Sequence, residues 1–173
     1  LRKRIPEVAG VDVSPTMVER SRGRFGEVTG LRFVLNQTKD LAQFADGSFD
    51  LVFSLITLQH IGKKEWVQGF LREFTRVLRP GGVLYFQLPS VELYPPWKKP
   101  LLQLRGRFFH WLVASGVPEQ LCYRRLRIEP FMNMTFMTVA ETKQFFAALG
   151  CTCDLVCESA HTTKTKYLVR KPA

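Results

Sequence analysis

Three groups of residues in this chain have types and spacings that chemistry can use. The stretch VAGVDVSP, Val8 to Pro15, ends an apolar run on Asp12 and then turns at Ser14-Pro15. A carboxylate at a strand tip suits the two hydroxyls of a ribose, which it accepts together. It also suits a helix-preceding cap, but Ser14 already stands where that job is done. The second group is His60, which follows the apolar run FDLVFSLITLQ. Histidine exchanges protons near neutral pH and so offers a general base, and it equally offers a structural cap for a strand end or the next helix. The third is CTCDLVC, which holds Cys151, Cys153 and Cys157, with His161 close behind. Cys-x-Cys without a second well-spaced pair is a weak zinc pattern. Strand alternation instead puts Cys151, Cys153, Leu155 and Cys157 on one face as buried, reduced thiols, so no metal is expected.

These residues need elements to position them. Leu1 to Glu7 has the pattern of a basic helix tail closed by Pro6, and Val8 to Val13 that of a short strand. Ser14 is placed to cap the next helix, with Pro15 in its first turn and Met17 and Val18 facing inward. LRFVLNQ predicts a second strand, and Phe49 to Leu58 a third whose near-continuous apolar character fits burial on both faces of a parallel sheet. KKEWVQGFLREFTRVL carries Trp66, Phe70, Phe74 and Val77 at helical spacing and is expected to stop at RPGG. A fourth strand follows over Val83 to Pro89. Ser90 to Thr138 breaks the alternation with a Pro-rich loop and a helix whose Leu101, Leu104, Phe108 and Leu112 form a stripe. VAETKQFFAALG predicts a helix with Phe145, Phe146 and Leu149 inward and Gly150 at its end, and CTCDLVCES with TKYLVRKP a closing antiparallel hairpin. The fold class is therefore α/β with a mostly parallel sheet.

Taken together, AGVDVSPTMVERSR, DLAQFADGSFDLVFSLITLQHI and FLREFTRVLRPGGVLYFQLPS resemble the class I S-adenosylmethionine-dependent methyltransferases, the Rossmann-like enzymes of small-molecule type. The order and spacing of these segments, with the closing hairpin, carry the resemblance over nearly the whole chain except Val91 to Met134. It implies a single domain over residues 1–173, a seven-stranded sheet ending in the hairpin, and S-adenosylmethionine as cofactor across the C-terminal strand ends. It implies that Asp12, with Val13 beside it, holds the ribose and that Met17 packs on the adenine face. Asn36-Gln37-Thr38 falls where the family usually has an acid and a small residue at the adenine amino edge. Gln37 departs from that pattern, and its side-chain oxygen can still accept from the amino group. Ser54, Leu55 and Leu58-Gln59-His60 fall where cofactor and acceptor contacts are implied. Asp50 and LRPGG are structural on this reading.

The family's glycine-rich loop follows a central strand that comes before the strand ending at Asp12, and only eleven residues precede Asp12 here. Strand and loop are thus expected to precede Leu1. The sequence as it stands would have an open slot between two apolar strands, a tendency to aggregate or swap strands, and weak or absent cofactor binding.

At 173 residues and 46% hydrophobic, the chain has one domain's worth of core. No run reaches the length of a membrane helix and no signal-peptide core is seen, so a cytoplasmic protein is expected. A net charge of +10 attracts anions. Within the insertion Val91 to Met134, Lys98, Lys99, Arg105, Arg107, Arg124, Arg125 and Arg127 face only Glu92, Glu119 and Glu129. In the family this slot commonly forms a substrate lid. A basic, aromatic lid suggests an anionic small-molecule acceptor or a lipid at an interface. The plainer reading is a helix that packs its stripe on the sheet and leaves its arginines in water. The dispersed charges argue against nucleic acid. A non-catalytic scaffold that binds a partner through the basic insertion is the alternative to an enzyme.

Overall fold

The computed structural model describes residues 5–92, 94–128, 130–131, 134–157 and 164–173. The chain divides into two compact units, Leu1–Gln43 and Phe44–Ala173. Leu1 to Arg4 and the hairpin residues 158–163, His161 among them, lie outside the described residues, and Ile5 to Glu7 form no helix.

In the first unit, β1 (Val8–Asp12) and β2 (Leu31–Leu35) pair in parallel, from Val8 opposite Leu31 to Asp12 opposite Leu35. Helix α1 (Pro15–Phe25) connects them, with Ser14 at its N-cap and Pro15 in its first turn. Val18 is buried, whereas Met17, expected inward, is exposed. The two are successive helix positions, some 100° apart, so a narrow inward stripe holds only one of them. Arg22 ties the helix to the sheet by donating from Nε and Nη2 to the Phe33 carbonyl at 3.2 and 2.7 Å. The turn into β2 needs Gly30, which has φ +76°, and whose Cβ would meet the Pro6 carbonyl oxygen at 2.2 Å.

In the second unit four strands run in the order β3-β4-β6-β5. β3 (Phe49–Ser54) and β4 (Leu78–Gln87) are parallel. β6 (Lys166–Arg170) is antiparallel to both β4 and β5 (Thr152–Cys157), so the closing hairpin forms as expected. Helices α2 (Lys64–Val77) and α5 (Val139–Ala148) supply the core, which gathers Val67, Leu71, Leu84, Phe86, Phe146, Tyr167 and Val169. Phe86 stacks on Tyr167 at 5.1 Å and meets Phe146 at 5.6 Å. Thr138 and Glu141 form a reciprocal capping box at the start of α5. This is a Rossmann-like α/β arrangement, mixed in its second sheet.

Several sequence expectations are corrected. β3 ends at Ser54, before Leu58, and Leu51 and Phe53 on its second face are exposed, because the core helices cover only the face carrying Val52. Helix α2 ends at Val77, just before RPGG as expected, but β4 already begins at Leu78, so RPGG falls within the bounds of the strand, where the β3–β4 register shifts between Phe49 and Leu51. The Lys171 ammonium satisfies that junction by donating to the carbonyls of Thr75, Arg76 and Leu78 at 2.9, 3.5 and 2.6 Å. Trp66 and Leu149 sit at the margins of their helices and are partly exposed. In the insertion, α3 (Lys99–Ala114) forms, followed by α4 (Glu119–Leu121) and a π-helical turn over Cys122–Leu126. The α3 stripe does not pack on the sheet: Leu101, Leu104 and Phe108 are exposed.

Candidate functional site

The C-terminal ends of β1 and β2 place the first group of residues. The parallel register sets Asp12 opposite Leu35, and the Asn36 amide donates to the Asp12 carbonyl at 2.9 Å, so Gln37 emerges beside Asp12. The Asp12 carboxylate is exposed and uses Oδ1 to accept from the Ser14 amide at 2.8 Å. Its Oδ2 remains for donors from outside. Ser14 Oγ accepts from the Met17 amide at 3.4 Å, which fixes the first turn of α1. Val13 and Met17 are both exposed beside the acid. A carboxylate flanked by bare apolar side chains at a strand tip fits a nucleoside, with the acid on the ribose and Met17 free to lie on a base.

Gln37 and Thr38 differ. Gln37 is exposed and its carboxamide can accept from an amino group. The Thr38 hydroxyl is engaged locally, 2.9 Å from Asn36 Oδ1 and 2.8 Å from Asp40 Oδ1. Asn36, buried, organises this turn by donating to the Asp40 carbonyl at 3.0 Å and accepting from Gln43 at 3.2 Å.

In the second unit, Ser54 is buried at the end of β3 opposite Phe86, and Leu55 follows it half-buried. Ile56 then takes φ +62°, a left-handed conformation that costs a β-branched residue about 1–3 kcal/mol and concentrates at functional loops. A 3-10 turn over Leu58–His60 follows. His60 is exposed, and Gln59, buried, lies 3.2 Å from His60 Nε2 through its amide nitrogen. Gln87 donates to Gln59 Oε1 at 3.5 Å. In this orientation the Gln59 amide donates to Nε2, so the neutral ring carries its proton on Nδ1. Ile56 and Gln87 were not singled out by the sequence reading, which placed Gln59 only within the Leu58-Gln59-His60 stretch and gave it no part in holding His60. A polar residue closing an apolar run was the available signal for Gln59; backbone φ leaves none.

The insertion leaves and returns at one place. The Met137 amide donates to the Pro89 carbonyl at 3.1 Å, and the Thr135 amide to the Gln59 carbonyl at 2.9 Å. Thr135 Oγ1 also donates to the Ile61 carbonyl. The exit of the insertion is thus fastened beside His60. A hollow of about 170 Å³ opens there, lined by Lys64, Glu92, Lys99, Met134, Thr135 and Phe136. Both lysines are already engaged, Lys64 with Glu141 at 2.8 Å and Lys99 with Glu92. Asp50 pairs with Arg79 at 2.6 Å, in keeping with its structural reading.

The cysteines are free thiols and divide by position. Cys151 precedes β5 and Cys153 lies within it; burial pushes both thiols up, Cys153 to about 11. Cys157, expected on the same buried face, is exposed because the β5–β6 register shifts between Leu155 and Cys157. Among the described residues no three His, Cys, Asp or Glu side chains gather as a metal site.

Comparison with known proteins finds methyltransferases. A family described as a methyltransferase domain matches residues 1–86. The human thiol S-methyltransferase TMT1B is 42% identical over 66 residues, covering 38% of this chain and 26% of that protein. The 2-methyl-6-phytyl-1,4-hydroquinone methyltransferase of Synechocystis is 34% identical over 126 residues, covering 66% of this chain and 37% of that protein. The chain therefore spans well under half the length of these curated relatives. Among solved structures, the magnesium protoporphyrin IX methyltransferase of Synechocystis with bound SAH superposes with a TM-score of 0.59 at 16% identity, covering 95% of this chain and 64% of that one. At that identity the likeness speaks for the fold.

Proposed function

We propose that this chain, which a methyltransferase-domain family matches over residues 1–86, is a class I S-adenosylmethionine-dependent methyltransferase and serves methyl transfer from that cofactor to a small-molecule acceptor. The observation that carries the reading is the Asp12 carboxylate at the tip of β1, with Gln37 emerging next to it and Val13 and Met17 bare beside it. Asp12 would accept from both ribose hydroxyls, Met17 would cover one face of the adenine, and Gln37 would accept from its amino group. Thr38 would hold the Gln37 turn in shape. The cofactor supplies an electrophilic methyl on a sulfonium, so the protein's share is to place an acceptor in line with it and keep water out. Ser54 and Leu55 would take part in that placement. His60 is the candidate base, held on a turn whose neighbour Gln59 is itself fastened by Gln87 and Thr135.

Residues 91–134 act as the lid in this reading, supported by their anchoring beside His60. The relatives' names cite a thiol and a quinol, and a small acceptor of that size class is proposed here. The exposed Arg107, Arg124 and Arg125 support an acceptor that carries negative charge. Four free thiols, two of them buried, support a reducing compartment such as the cytoplasm.

The test is calorimetric titration of S-adenosylhomocysteine into the protein as its native source makes it, with Asp12→Ala as the variant. Loss of one charge-assisted bidentate contact should weaken binding about tenfold or more, while the melting temperature falls only by what the exposed hydrogen bond from the Ser14 amide contributes. Equal affinity in parent and variant overturns the assignment.

A further inference from the structure

Helix α3 is apolar on two faces, and only one of them is covered. On its inner face Gly106 is buried against Phe131, so closely that a Cβ there would stand 2.9 Å from both Phe131 Cβ and its amide nitrogen. Phe109, also buried, meets the Tyr123 ring at 5.4 Å. On the opposite side Leu101 is 71% exposed, Leu104 63%, Phe108 47% and Trp111 62%, and Trp97 in the preceding turn is 74% exposed. Spacings of three, four and three residues bring Leu101, Leu104, Phe108 and Trp111 into one arc of roughly 80°. The Phe108 and Trp111 rings stack at 5.8 Å within that arc. A helix that meets only water carries polar residues on such a face.

The charges around the stripe say what covers it. Arg105 and Arg107, both exposed, stand about 80° to either side of the centre of the arc. Lys98 sits just before the helix with its ammonium 4.8 Å from the Trp97 ring. From Lys98 to Gly116 there is no Asp or Glu. We propose that this face docks on an anionic lipid bilayer, with α3 lying in the plane of the interface. Leu101, Leu104, Phe108 and Trp111 enter the boundary between headgroups and acyl chains, and Arg105, Arg107 and Lys98 meet lipid phosphates on both flanks.

Cations on both sides of an apolar arc match a plane of phosphates. A second copy of this chain would bring the same cations face to face and add its own +10. A nucleic acid would use the cations and leave the stripe without a partner. Among the described residues no helix is long and apolar enough to cross a membrane, so the helix lies on the surface. The inference shares α3 and Arg107 with the proposed lid, but none of these residues belongs to the nucleoside site, and vesicle binding is read without any methyl transfer.

Vesicle sedimentation with the full chain tests it. Phosphatidylcholine vesicles containing about a third phosphatidylserine should pellet the protein at least tenfold more strongly than phosphatidylcholine alone, and added salt should weaken the binding. A Leu104→Glu/Phe108→Glu variant should lose about 100-fold or more in partitioning, and a Lys98→Gln/Arg107→Gln variant about 30-fold on the anionic vesicles. All four side chains are exposed, so the parent's melting temperature should persist in both variants. Absence of pelleting, equal pelleting on neutral vesicles, or binding that survives Leu104→Glu/Phe108→Glu overturns the proposal. So does a concentration-dependent dimer that this variant abolishes without any vesicle binding.

Discussion

Helices α2 and α3 are nearly the same length, 14 and 16 residues, and each starts on a lysine held by a carboxylate, Lys64 by Glu141 and Lys99 by Glu92. Each also carries large apolar side chains at helical spacing. In α2 the stripe runs through Val67 and Leu71, both fully buried, and the outer face shows Glu65 and Arg72 to water. In α3 the stripe that the sequence makes most conspicuous is the one left outside. Periodicity therefore reports that a face is apolar; what covers that face is decided by its neighbours. Around α2 those are β3, β4 and α5. Around α3 they are Phe131 and Tyr123, which occupy the other side.

The largest effect that would break this comparison comes from truncating one leucine in each stripe. Leu71→Ala should cost about 2–5 kcal/mol, since its cavity opens between α2 and the sheet. Leu104→Ala should stay within about 0.5 kcal/mol, as an exposed substitution does. Denaturant midpoints of the two variants, with unchanged slopes, measure the contrast. Equal losses would mean that the outer face of α3 is covered within the chain.

A second pair sharpens the contrast on the helix backbone. Both helices contain a glycine. At Gly69 in α2 an added Cβ meets nothing within 4 Å, so Gly69→Ala should stabilise by about 0.5–1 kcal/mol through helix propensity. At Gly106 in α3 the same methyl meets Phe131, partly through backbone, and Gly106→Ala should destabilise by about 1–3 kcal/mol. Opposite signs in thermal unfolding are the expected result. A stabilising Gly106→Ala would show that α3 and the Phe131 segment are not packed together.

Which features were legible follows from the range of the interactions that set them. The Ser14 cap and the turn at Gly150 are decided within four residues, and each is found where the sequence put it; the capping box at Thr138 and Glu141 is as local but was not singled out. The hairpin of β5 and β6 was legible from alternation, but the displacement of Cys157 was not, because a register shift depends on the partner strand. Met17 and Val18 looked equally inward until α1 had a sheet to face. At the candidate site, Asp12 was singled out by its residue type at a strand tip, and Gln37 by the family resemblance. The left-handed Ile56 and the chain from Gln87 through Gln59 to His60 could not be, since they arise where β3, β4 and the exit of the insertion meet.

The smallest effect concerns the ion pair that starts α2. Lys64 and Glu141 join α2 to α5, and the Glu141 carboxyl is held below the usual carboxylate range, first by the hydrogen bond from Lys64 and then by the Thr138 amide. A depressed carboxylate contributes stability that is fully present above its unfolded value near 4.3 and is lost as pH falls through the folded one. Glutamine can still accept from the Thr138 amide and keep the capping box, so Glu141→Gln removes the charge and leaves the cap. Both side chains are more than a third exposed, and water screens the pair to about 0.5 kcal/mol at neutral pH. Unfolding free energies of parent and Glu141→Gln should therefore differ by that amount at pH 7 and converge as the pH is lowered below about 4. A difference that persists at acid pH would assign the effect to packing of the α5 first turn, and the anchoring of α2 would then owe nothing to charge.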